Sequence, residues 1–144
     1  MASSFSLPAV VVRDEIGACI RAENAKSSTT EPEIAEAEAF LWAVKMARVM
    51  NSIKVNFEGD SKLCVDSICS KGVLANWKSV DVIRDIVDQS SSFLACQFTW
   101  VPRSANQAPH VLGKWALHKS FVGQLVDFSV SPSFVEVLAS DSGV

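Results

Sequence analysis

Two acidic side chains stand at positions where an α/β protein can use carboxylates for chemistry. Glu36 lies three residues before Ala39 and seven before Ala43, so it shares the apolar face of a predicted helix. A carboxylate there either interacts favourably with the helix dipole near the N-terminus or faces a functional site. Asp60 directly follows a predicted strand and precedes a predicted helix, where either Asp60 or Ser61 caps the helix, or Asp60 is a ligand. Two carboxylates that meet without a basic partner usually need a divalent cation.

A third candidate region joins a predicted strand to a predicted helix over residues 101–110. It carries the guanidinium of Arg103, the amide of Asn106 and the imidazole of His110. A histidine near a helix is more often structural than a ligand, and Arg103 and Asn106 could equally form the turn. Separately these signals are weak. Together they indicate the kind of site that two-metal nucleases use. In such a site one ion activates the attacking water and the other stabilises the leaving oxygen of the phosphodiester.

The periodicity of apolar residues predicts the elements that would position these side chains. Two β-branched runs around an Asp14–Gly17 turn predict a hairpin between residues 9 and 22. A loop from Asn24 leads to a capping box at Thr30, which predicts a helix that ends near Met50. There follow a strand over 53–58, a helix over 62–72, a helix from Ser79, a strand over 95–101 and a helix capped by Asn106. This order predicts an α/β fold in which helices cover a sheet.

Composition limits the class of protein. With 144 residues, 49% of them hydrophobic, the chain suits one domain with a substantial core. A net charge of −3 argues against a strong electrostatic grip on phosphates, although folding can still create a local basic patch. The four cysteines form no CxxC pair and the two histidines complete no zinc spacing, which predicts reduced thiols in an intracellular compartment. Neither a signal peptide nor a membrane span is found, so we expect a soluble protein of the nucleus or cytoplasm.

Four blocks of sequence in series resemble the plant branch of the RNase H type 1 family, which often occurs in retroelement-derived proteins. The blocks are residues 10–17 (VVVRDEIG), 33–43 (EIAEAEAFLWA), 55–61 (VNFEGDS) and 101–106 (VPRSAN), and the segment 112–117 (LGKWAL) also fits. The resemblance covers residues 9–118 and leaves 119–144 as a C-terminal tail. It implies an RNase H-like fold with a mixed sheet, strand order 3-2-1-4-5, flanked by helices. It also implies cleavage of the RNA strand of an RNA–DNA hybrid with Mg²⁺ or Mn²⁺.

The resemblance assigns roles to particular residues. Glu36 matches the helix carboxylate of the family and Asp60 its strand-end carboxylate, so both are expected to bind metal. Glu38 competes for the first place, but only Glu36 has the seven-residue spacing to Ala43. His110 stands where the family has its last metal-binding Asp, and an imidazole can still bind a metal or a water. The expected catalytic set is therefore Glu36, Asp60 and His110, and the expected nucleic-acid contacts are Ser61, Arg103 and Asn106.

The chain departs from the family at its first strand, which is the central strand of the sheet and carries an Asp. The predicted hairpin begins near residue 9, residues 1–8 contain no Asp, and Asp14 belongs to the hairpin turn. We therefore expect a fold that lacks the central strand, through truncation, degeneration or fragmentation of the sequence. The short stretch Phe5–Leu7 or the tail could add strand pairings at the gap.

Three functions fit this sequence. The first is an RNA–DNA hybrid endoribonuclease with a two-metal mechanism, impaired by the missing carboxylate. The second is a catalytically inactive module that binds nucleic acid by backbone shape. The third is a protein-interaction remnant of a retroelement, whose open sheet edges pair with another chain. Metal-dependent activity would indicate the first function. Salt-dependent binding without cleavage would indicate the second, and concentration-dependent association without affinity for nucleic acid would indicate the third.

Overall fold

The computed structural model describes residues 9–24, 31–119 and 123–125. Its elements are β1 (Ala9–Arg13), β2 (Cys19–Asn24), α1 (Pro32–Val49), β3 (Lys54–Gly59), α2 (Lys62–Cys69), α3 (Val80–Ser90), β4 (Ala95–Trp100), a 3-10 turn (Arg103–Ala105), α4 (Gln107–Lys119) and β5 (Gly123–Gln124). The elements fall into two compact units. We call β1, β2, α4 and β5 the hairpin unit, and α1, β3, α2, α3 and β4 the parallel-sheet unit. Within the described ranges, no helix is long and apolar enough to cross a membrane.

The hairpin unit begins with the antiparallel pair β1–β2. The side chain of Asp14 builds the turn, because its Oδ1 accepts hydrogen bonds from the N–H groups of Ile16 (3.0 Å) and Ala18 (2.9 Å). Gly17 has a φ of 87°, which few residues with a side chain adopt. The assignment of Asp14 to the hairpin turn is therefore confirmed.

The second hairpin strand is longer than the sequence indicated. β2 continues to Asn24, which was expected to begin a loop, because both β1 and β5 pair antiparallel with Glu23 and Asn24. Leu125, directly after β5, is buried against Ala22 and α4. The described part of the tail thus adds to β2 and makes no pairing with β1. Residues 5–7 and 126–144 lie outside the described residues.

The parallel-sheet unit contains the strand pair β3–β4, aligned from Lys54 opposite Ala95 to Gly59 opposite Trp100. A parallel pair needs a long crossover connection, which α2 and α3 provide. The hydrophobic core of this unit lies between the sheet and the helices, and its most buried side chains are Val44, Ile83 and Ile86.

Two helix boundaries differ from the prediction. The N-cap of α1 is Glu31 rather than Thr30, and Pro32 occupies the first helical position, where its missing N–H costs little; Thr30 lies outside the described residues. α2 ends at Cys69 rather than near residue 72, because Lys71 and Gly72 adopt positive φ angles that end a helix.

The α/β class is confirmed, with five strands and four helices among the described residues. The strands form two sheets, β1-β2-β5 and β3-β4, and no described strand pairs with both β1 and β3. The expected lack of the family's central strand stays a prediction, because residues 1–8 lie outside the described residues. All four cysteines are free thiols, as their spacing predicted.

Candidate metal centre

The carboxylates of Glu36 and Asp60 come together in the parallel-sheet unit. α1 carries Glu36 in its second turn, and Asp60 follows the last residue of β3. A carboxylate oxygen of each residue lies within 4.8 Å of the other. Both side chains are half-buried. The helix-borne and the strand-end acid that the sequence singled out are therefore neighbours in space.

A close contact between α1 and β3 accounts for this proximity. Gly59 is buried, and a Cβ added to it would lie 2.4 Å from Cζ and 2.7 Å from Cε2 of Phe40. The phenyl ring thus occupies the space that any side chain at position 59 would need. Phe40 lies one helical turn after Glu36, and Asp60 follows Gly59 in the chain. The same contact that packs the helix on the strand brings the two carboxylates together.

Aromatic rings hold α1 in this position. The ring of Phe40 lies 5.9 Å from that of Phe98 on β4, and Phe98 stacks on Phe57 of β3 at 5.0 Å. Phe57 also contacts Phe93, at 5.8 Å. Aromatic pairs at such distances contribute about 0.5–1.5 kcal/mol each beyond the burial of their surface. The cluster therefore resists movement of the helix relative to the strands.

Ser61 has the capping role that the sequence left open between two residues. Its Oγ accepts a hydrogen bond from the backbone N–H of Cys64 at 3.2 Å, and Ser61 is the N-cap of α2. The N-cap of α2 is therefore Ser61 and not Asp60.

Trp100 supports the backbone beside the carboxylates, a role that the sequence reading missed. Its indole N–H donates a hydrogen bond to the backbone carbonyl of Asp60 at 3.1 Å. One residue later, the N–H of Val101 donates to the carbonyl of Gly59 at 2.9 Å. The available signal was the position of Trp100 at the end of a strand predicted to pair beside Asp60. The sequence reading also missed Gly59, whose place directly before a strand-end Asp signals a close approach of another element.

The electrostatic environment of this site is acidic. Burial, and to a smaller extent the negative charges of Glu36 and Glu33, raise the pKa of the Cys64 thiol to about 12. The negative charges of Glu36 and Glu33 thus act on the first turn of α2, and negative charge favours a bound cation over a bound anion.

The remaining predicted residues are placed as follows. Glu38 is half-buried on α1, about 200° around the helix from Glu36, so the two cannot both face Asp60. His110 is half-buried in the first turn of α4, in the hairpin unit. Asn106 directly precedes α4 and is half-buried, and Arg103 is exposed at the start of the 3-10 turn. The roles predicted for these residues stay predictions.

Two solved structures resemble this chain. The RNase H1 of the halophilic archaeon Halobacterium salinarum is 19% identical, has a TM-score of 0.71, and is matched over 77% of this chain and 84% of its own. The N-terminal RNase H domain of a Mycobacterium tuberculosis protein, solved as a fusion with maltose-binding protein, is 17% identical. Its TM-score is 0.69, over 77% of this chain and 81% of its own. At such identities the likeness establishes an RNase H-like fold and nothing more specific.

The sequence comparisons add the family. A search of the curated proteins found no match. The family model described as "Reverse transcriptase-like" matches residues 3–116, which is most of the chain and includes both carboxylates of the candidate metal centre. The chain therefore belongs to the reverse transcriptase-like family, and it is an RNase H-like domain.

Proposed function

We propose that this chain binds RNA–DNA hybrids and holds a divalent cation, Mg²⁺ or Mn²⁺, with Glu36 and Asp60. The observation that carries the proposal is the carboxylate pair, whose oxygens lie within 4.8 Å. Carboxylate oxygens are the ligands that hard cations prefer, and a divalent cation beside two carboxylates this close offsets the repulsion between their charges. The chemistry of the donors therefore fits the ion. On the family resemblance alone, we also propose His110 as a catalytic residue.

The chain's own side chains would bind and orient the nucleic acid. The ion, when bound, would polarise a phosphodiester oxygen. Ser61 accepts the Cys64 N–H, so its hydroxyl hydrogen is available to donate to a phosphate or sugar oxygen. Arg103 is exposed and suits a charge-assisted hydrogen bond to phosphate. Asn106 would contact a sugar or phosphate with its amide.

Cleavage by this set of residues is proposed to be impaired. Residues 1–13 contain no Asp or Glu, so these residues do not supply the carboxylate that the family carries on its first strand. Losing one member of a preorganised charge cluster typically lowers the rate by orders of magnitude. Hybrid binding depends mainly on backbone contacts and is expected to survive.

A second candidate is an inactive remnant that binds a protein. Among the described residues, β1 and β3 each pair with a single strand, which leaves one edge of each without a described neighbour. Open strand edges favour pairing with another chain.

The test is binding and cleavage of a labelled RNA–DNA hybrid by the wild type, Glu36→Gln and Asp60→Asn, with Mg²⁺ or Mn²⁺ and with EDTA. We expect the wild type to bind more tightly with metal and to cleave slowly, and both variants to lose the metal effect. Glu38→Gln is the matched control, because it removes a half-buried carboxylate from the same helix, and it should behave as the wild type.

Each contrary result has a distinct meaning. Equal metal effects in the wild type and Glu36→Gln would show that the metal centre is wrong. Binding of the hybrid that depends on salt but is the same with metal and with EDTA, without cleavage, would indicate a catalytically inactive module that binds nucleic acid. Concentration-dependent self-association or protein binding, without affinity for the hybrid, would favour the second candidate.

A further inference from the structure

We propose that the contact between Gly59 and Phe40 sets the spacing of Glu36 and Asp60 and thereby determines the metal affinity of the site. Neither Gly59 nor Phe40 supplies a ligand atom, so both are positioning residues. The inference rests on the metal centre proposed above, and it extends that proposal to residues that no ligand pattern identifies.

The contact leaves no free space. Ordinary contact between two carbon atoms begins near 3.4 Å, and a Cβ at position 59 would meet the Phe40 ring at 2.4 Å. Any side chain at this position must therefore displace the ring by roughly 1 Å. The ring is 5% exposed and contacts Phe98 at 5.9 Å, so the surrounding core limits its movement. Part of the displacement is then transmitted to the backbone of α1.

The displacement reaches the ligands directly. Glu36 and Phe40 are four residues apart on one helix face, so a shift of α1 at Phe40 moves Glu36 with it. Asp60 follows Gly59 and is fixed by the Trp100 hydrogen bond to its carbonyl. Metal–ligand distances tolerate deviations of only about 0.2 Å. If roughly half of the 1 Å displacement reaches Glu36, the shift already exceeds what one ion can accept without loss of affinity.

The experiment is a double-mutant cycle with Gly59→Ala, Phe40→Leu and the double variant, in which Mn²⁺ binding is measured by calorimetry on folded protein. We expect Gly59→Ala to weaken binding by about 10- to 100-fold, the usual range for residues that orient ligands. Phe40→Leu in the same chain makes room for the new methyl group and should restore most of the affinity. Ala47→Val is the control, since Ala47 is buried on α1 about 16 Å along the axis from Glu36. It should destabilise the fold and leave Mn²⁺ affinity unchanged.

The results separate a positioning role from simple packing. If folded Gly59→Ala binds Mn²⁺ like the wild type, or if Phe40→Leu restores stability but not affinity, the contact only packs and the inference is wrong. If Gly59→Ala does not fold, the single variant Phe40→Leu tests the proposal. The loss of the ring should still change Mn²⁺ affinity, and an unchanged affinity would overturn the proposal.

The metal centre and the positioning role can also be told apart. A wild type that binds no Mn²⁺ would refute the metal centre, and the positioning role with it. A wild type that binds Mn²⁺ as well as folded Gly59→Ala does would refute the positioning role alone. Urea unfolding of the same variants without metal tests the steric contact independently of any ion.

Discussion

The carboxylate pair predicts a stability effect whose size depends on metal. At 4.8 Å, the upper limit of the distance between the two carboxylates, two unit charges repel by about 0.9 kcal/mol in bulk water and by about 3.5 kcal/mol at the effective dielectric constant near a protein surface. Both side chains are half-buried, so the repulsion lies between these limits. Asp60→Asn removes one of the charges and keeps the shape of the side chain. In EDTA we therefore expect this variant to raise the free energy of unfolding by about 1–3 kcal/mol.

Metal should abolish or reverse this advantage. A ligand that binds only the folded state stabilises it by about 2.7 kcal/mol when its concentration is 100 times the dissociation constant. The wild type should gain this amount from Mn²⁺, and Asp60→Asn should gain little because it has lost a ligand. Urea unfolding followed by circular dichroism, with EDTA and with Mn²⁺, measures both differences.

Asp66→Asn is the matched control for this experiment. Asp66 forms an ion pair with Lys62 at 3.2 Å on the surface of α2, and such exposed pairs contribute under about 1 kcal/mol. Its loss should lower stability slightly and equally in both solutions. The reasoning is refuted if Asp60→Asn is less stable than the wild type in EDTA, or if it gains as much stability from Mn²⁺.

Two further predictions concern α2. The thiol of Cys64 has a pKa near 12 in the folded chain against 9.0 as its ordinary value. Between these pH values the unfolded chain loses a proton that the folded chain keeps, so stability should fall as pH rises above about 9, by up to about 1.4 kcal/mol per pH unit. Urea unfolding from pH 8 to 11 measures this slope, and Cys64→Ala should make it shallower; an unchanged slope would contradict the assignment. Ser61→Ala should lower the free energy of unfolding by about 1 kcal/mol through loss of the N-cap bond, and Ser61→Thr should retain most of it; equal losses in both would argue against the cap.

The sequence predicted the proposed metal ligands of the candidate site, but it did not predict the residues that hold these ligands in position. The spacing of Glu36 within an apolar helix face and the position of Asp60 after a strand are local patterns, and local patterns are visible in a sequence. The competition between Asp60 and Ser61 for the helix cap could not be resolved, because both residue types cap helices well and only the structure shows which oxygen meets the N–H of Cys64.

The support from Gly59, Phe40 and Trp100 depends on tertiary contacts. Nothing in the sequence near Phe40 indicates that its ring fills the space of a side chain on β3. The same limit applies to the fold, where the order of helices and strands followed from periodicity but β5 did not. β5 has two residues and exists through its pairing with Glu23 and Asn24, far away in the sequence. The predicted domain bounds, 9–118 with a tail over 119–144, stay a prediction.

The hydrogen bond from Trp100 to the carbonyl of Asp60 has a consequence for the order of folding. It joins residues 40 positions apart, and both α2 and α3 lie in the intervening segment. Closing so long a segment costs chain entropy before the contact forms, so such contacts tend to appear late. During synthesis on the ribosome, Glu36 and Asp60 would leave the exit tunnel well before Trp100. The two acids of the nascent chain would therefore exist for a time without the strand that fixes them.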